Sequence, residues 1–143
     1  MGMYTEFHFN AEIKGDCMQE VLDMLTFLVS GEPKSHEKAL DDYRERISAQ
    51  PHEFFETGRW PFMLKCDSYY FAADTYSTFR KDWQGDYYLC IRCNVKNYDN
   101  EIEKFIDWVK PYIAGNSDDF LGFYRYESNR KPTLVFKNET IDV

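Results

Sequence analysis

Three histidines, four cysteines and one segment crowded with rings and arginines are the residues of this chain best equipped for chemistry. Cys90 and Cys93 have the two-residue gap of a zinc or redox pair. They fall inside an alternating run, where their thiols point to opposite faces, and neither Cys17 nor Cys66 belongs to a second such pair. Structural thiols are therefore the expectation, with no metal and no cofactor. His8 sits on the polar side of another alternating run and reads as a solvated surface residue. The histidines stand far apart and share no local carboxylate motif, so only a dyad built in three dimensions stays open, for example His52 with Asp67, Cys66 or Tyr69. Asp41, Asp42 and Glu45 lack the spacing and glycine of a calcium loop and read as a solvated helical face.

The segment from Pro51 to Arg80 offers the one candidate ligand site. Arg59, Trp60, Tyr69, Tyr70, Phe71 and Arg80, with His52 nearby, are the ingredients of a small pocket for a planar or anionic ligand. In the plainer and preferred reading these rings fill the far end of the core. No phosphate-cradling GxGxxG or GxxxxGK[ST], no GxSxG elbow and no HExxH helix occurs, which leans the chain away from enzymes. Met1-Gly2 invites a myristoylation reading, but Glu6 stands where that motif needs a hydroxyl.

These residues must be positioned by elements that the pattern of apolar side chains predicts. Tyr87 to Lys96 alternates, with Tyr87, Leu89, Ile91, Cys93 and Val95 on one face, the mark of a half-buried strand. Ile102, Phe105, Ile106, Val109 and Ile113 then follow helical spacing, capped by Asp99 or Asn100, shortened by Pro111 and stopped at Gly115. Tyr4 to Lys14 alternates likewise, with Phe7, Phe9, Ala11 and Ile13 on one side. Cys17 to Ser30 predicts a helix with a broad apolar face that includes Met18. Ser35 to Gln50 predicts a peripheral, charged helix. Phe62 to Cys66 and Tyr69 to Ala73 are expected as short strands, and Asp74 to Trp83 as an irregular connection. Phe120 to Glu127 is a strand bulky on both faces, in which Gly122 admits a close approach by a ring or another backbone. Thr133 to Lys137 completes a hairpin, and the last residues are expected to fray.

With 143 residues the chain is expected to form one α+β domain, 1–143. The predicted architecture is a mainly antiparallel sheet with helices packed on one face, close to a ferredoxin-like plait with an additional C-terminal strand. A net charge of −8 argues against binding nucleic-acid phosphates. No apolar run is long enough for a spanning helix and no secretory signal precedes the first strand, so a cytoplasmic protein with free thiols is expected. Aromatics make up 18% of the residues, more than a core of this size can bury, so some are expected to form a contact surface. The functional expectation is thus a small acidic, non-enzymatic binding or accessory protein that pairs with itself, as a homodimer, or with a protein partner. The alternatives are a small-molecule site at residues 59–80 and an acidic decoy that mimics nucleic acid.

Overall fold

The computed structural model describes residues 3–30, 41, 52–67, 75–129 and 131–143. Strand β1 (Thr5–Ile13) is followed by helix α1 (Gln19–Ser30), then by β2 (Thr78–Lys81), β3 (Tyr87–Val95), helix α2 (Glu101–Val109), β4 (Phe120–Tyr126), β5 (Thr133–Phe136) and β6 (Thr140–Asp142). The six strands form one sheet in the order β2-β3-β1-β4-β5-β6, and every neighbouring pair is antiparallel. The protein is therefore α+β with an antiparallel sheet.

β1 lies at the centre because it is apolar on one face along its whole length. Phe7, Phe9, Ala11 and Ile13 are buried, and opposite them β3 supplies Cys93, Ile91 and Leu89. Phe105 of α2 meets Phe7 and Phe9 edge-on, at 6.1 and 6.2 Å between ring centroids. From there the rings continue through Phe54 and Trp60 to Phe27 of α1, so α1 and α2 close one core on one face of the sheet. Each full burial of such a side chain contributes about 1.5–3 kcal/mol, enough to fix which face the helices take.

Several expectations change. Phe62 to Cys66 is not a strand: Met63–Lys65 is a 3-10 turn, because the N–H groups of Lys65 and Cys66 fold back onto the carbonyls of Phe62 and Met63. Met63 and Leu64 are both fully buried, and two consecutive buried side chains do not fit a half-exposed strand. Thr78–Lys81 is an edge strand instead of an irregular connection, since it pairs with Tyr87–Cys90 across a tight hairpin. The C-terminal residues do not fray: Thr140–Asp142 pairs with Thr133–Val135, which puts two strands beyond β4 instead of one. Met18 is exposed, just before the first turn of α1. The predicted helix at 35–50, apart from Asp41, and the predicted strand at 69–73 lie outside the described residues.

The start of α2 is fastened differently from the expectation. Neither Asp99 nor Asn100 provides the capping oxygen. Asn97, in a left-handed turn (φ 38°), accepts the N–H of Ile102 on Oδ1 at 2.8 Å and donates from Nδ2 to Glu103. The helix ends at Val109, and Pro111 sits in the 3-10 turn that follows.

Candidate functional site

The face of the sheet opposite the helices carries the aromatic side chains that the core leaves over. On β1 this face begins with His8, whose ring stacks on Phe123 of β4 at 4.7 Å and 13° between planes. His8 is thus half-covered by a neighbouring ring and not freely solvated; its Nε2 lies 3.4 Å from Glu6, which also takes Arg125 at 2.8 Å. Phe123 is opposite Leu134, and Leu134 is opposite Ile141. Phe120 meets Phe136 edge-on at 5.5 Å. Alternation along β5 puts Leu134 and Phe136 on the same side, so Phe123, Leu134, Phe136, Ile141 and Phe120 form one apolar strip across β4, β5 and β6. No helix of the described residues lies on it. Phe120 is 56% exposed and Ile141 42%.

The strip exists because of one backbone approach. A Cβ on Gly122 would stand 1.9 Å from the carbonyl oxygen of His8. Glycine lets β4 close against β1, as the sequence suggested, and a register shift between Phe120 and Gly122 carries Phe120 out to the rim.

At the other end of the sheet, the β2–β3 hairpin presents Trp83, the most exposed large apolar side chain among the described residues, at 90%. Its loop is braced from within. Asp82 Oδ1 accepts the N–H groups of Gln84 and Asp86, each at 2.9 Å, the Asp82 N–H donates to the Asp86 carbonyl, and Gly85 supplies the positive φ of 92°.

The residues grouped from sequence as a pocket separate. Trp60 is buried in the core between Phe27, Phe54 and Phe55. Arg80 stands on β2 opposite Tyr88, at the start of β3. Arg59 lies beyond the far end of β3, about 25 Å away along the strand, with its guanidinium 5.8 Å from the Tyr98 ring. Tyr69, Tyr70 and Phe71 lie outside the described residues. Arg59 instead faces Glu101, at 3.9 Å. That carboxylate is fully buried; Oε1 accepts the Asp99 N–H at 2.7 Å, and Oε2 has no partner among the described residues. The hollow beside Arg59, with Tyr4, Cys66, Asp67 and Lys96, measures about 180 Å³, less than small-molecule sites usually occupy.

The described histidines and cysteines are held by local structure. His52 Nδ1 accepts the Phe54 N–H at 3.0 Å and Nε2 lies 2.8 Å from Asp107, so the ring caps a 3-10 turn with both nitrogens engaged. Its carboxylate is Asp107, which no sequence spacing indicated. Cys90 and Cys93 do point to opposite faces; Cys93 is buried, and burial pushes its thiol far above the ordinary range. Burial also raises Cys66 and Cys17. Among the described residues no three histidine, cysteine or carboxylate side chains come together as a metal site, and no helix is long and apolar enough to cross a membrane.

No family model matches this chain, and no curated protein or solved structure matches it either.

Proposed function

We propose that the protein is a non-enzymatic binding module whose open sheet face associates with a protein surface, in the first instance a second copy of this chain. The observation that carries this reading is the strip of Phe120, Phe123, Leu134, Phe136 and Ile141, apolar, contiguous and free of any covering helix of the described residues. Apolar patches of this kind are rarely left in water on a monomer. Trp83, fixed on its braced hairpin, supplies the anchor that such interfaces concentrate their affinity on. The small acidic protein works in a reducing cytoplasm, where its four thiols stay free. We assign the fold to the ferredoxin-like plaits: the order β2-β3-β1-β4, with one helix after β1 and another after β3, supports this, and β5 and β6 extend the plait at one edge.

Sedimentation equilibrium on the full chain tests the proposal. A concentration-dependent dimer is expected, and Phe120→Ser combined with Ile141→Ser should weaken it at least tenfold, about 1.4 kcal/mol, with the unfolding temperature unchanged. Both side chains are solvent-exposed, so the fold does not depend on them. A chain that stays monomeric up to about 1 mM, a limit of roughly 4 kcal/mol of association, overturns the self-association reading.

A further inference from the structure

A second feature lies at one end of the sheet, where β1 begins and β3 and β4 end. A hollow of about 340 Å³ opens there, with Lys96, Tyr98, Tyr124, Arg125, Tyr126 and Lys131 in its lining. This is within the size range of small-molecule sites. Its lining contains three cations and no carboxylate, a local inversion in a chain with 25 acidic and 17 basic residues.

The charges are not used up within the fold. Arg125 is held by Glu6 at 2.8 Å. Lys96 and Lys131 make no ion pair among the described residues, and the Lys96 ammonium rests 5.9 Å from the Tyr4 ring. Two acids close enough to act on Tyr124 are already engaged: Glu103 by Asn97 at 2.8 Å, and Asp142 by the Thr133 hydroxyl at 2.7 Å. Three phenol rings form the rest of the wall. Burial, followed by the negative charge of Glu103, pushes Tyr124 up to about 12, so its hydroxyl remains a neutral donor at any ordinary pH. Two ammonium groups without an ion pair among the described residues, beside three phenol rings, are the complement of a ring that bears a negative group.

We propose that this hollow binds a small organic anion, its carboxylate or phosphate between Lys96 and Lys131 and its ring against Tyr98, Tyr124 and Tyr126. Its lining shares no residue with the apolar strip of Phe120, Phe123, Leu134, Phe136 and Ile141.

Titration of the 15N-labelled full chain with phenyl phosphate, benzoate, inorganic phosphate and benzamide, followed by amide shifts, decides the matter. Saturable shifts at Asn97, Tyr98, Tyr126 and Lys131 are expected with phenyl phosphate or benzoate. The probe that saturates at the lower concentration identifies the anionic group. Benzamide, which has the ring without the charge, should leave those amides unmoved. Lys131→Glu, at an exposed position that does not hold the fold together, should weaken binding at least tenfold with an unchanged unfolding temperature. No saturable shift with either aromatic anion overturns the proposal. So does an equal response to benzamide, an affinity for inorganic phosphate equal to that for phenyl phosphate, or binding unaffected by Lys131→Glu.

Discussion

Gly122 is the residue on which the sheet most depends, since the His8 carbonyl occupies the space its side chain would need. Gly122→Ala forces β4 away from β1 and should cost about 3 kcal/mol, through overpacking at a site where the obstacle is backbone and cannot swing aside. Urea unfolding measures it; a loss below about 0.5 kcal/mol would mean that the two strands are less closely joined. Tyr124 makes a second residue-scale prediction. Its folded-state value of about 12 exceeds the ordinary 10.0 because burial and then Glu103 disfavour the phenolate. The phenol is neutral when protonated, so the folded state keeps its proton longer than the unfolded chain does. The stabilisation is fully present below pH 10 and is lost as pH rises from about 10 to about 12, where the unfolded state binds fewer protons. Stability measured across that interval should fall, and Tyr124→Phe should flatten the slope. An unchanged slope in the variant would assign the alkaline loss to other phenols, such as Tyr112, which burial also raises.

At the scale of elements, α2 shows what a sequence reveals and what it conceals. Its apolar spacing located the helix, and Ile102, Phe105, Ile106 and Val109 are all buried. Its cap was not legible, because Asn97 lies two residues upstream of the expected position and acts only through a left-handed turn. Asn97→Ala should therefore cost about 1–2 kcal/mol, from the lost cap and the left-handed conformation together, whereas Asn97→Gly keeps the turn and should cost less. Equal losses for the two variants in thermal unfolding would show that the turn contributes nothing. β1, β3 and β4 were legible for the same reason as α2, since each repeats its pattern over seven residues or more. β2 and β6, of four and three residues, are too short for alternation to stand out, and they exist by pairing with neighbours already in place. The 3-10 turn at Met63–Lys65 looked like a strand because its residues are apolar, although their burial follows a turn. The pocket grouped from sequence separated because nearness along the chain says little across a hairpin. Arg59 and Arg80 flank opposite ends of β3, and the basic hollow draws its lining from three separate stretches of the chain, at Thr5, at 96–98 and at 124–133.

For the whole molecule, two surfaces that share no residue should respond oppositely to salt. Two copies that meet through the open face each carry a net charge of −8, so their mutual repulsion opposes an association driven by apolar area. Raising ionic strength from about 0.01 M to about 0.1 M shortens the Debye length from roughly 30 to roughly 10 Å. That removes most of the long-range repulsion and leaves the apolar contact intact. Dimerisation through Phe120 and Ile141 should therefore tighten several-fold over this range. Binding of an organic anion between Lys96 and Lys131 rests on attraction instead and should weaken over the same range. Sedimentation and amide-shift titrations at both salt concentrations read the two effects in one preparation. If the dimer weakens with salt, ion pairs hold it, and the apolar strip is not the contact. If anion binding is indifferent to salt, the ring and not the charge governs the hollow.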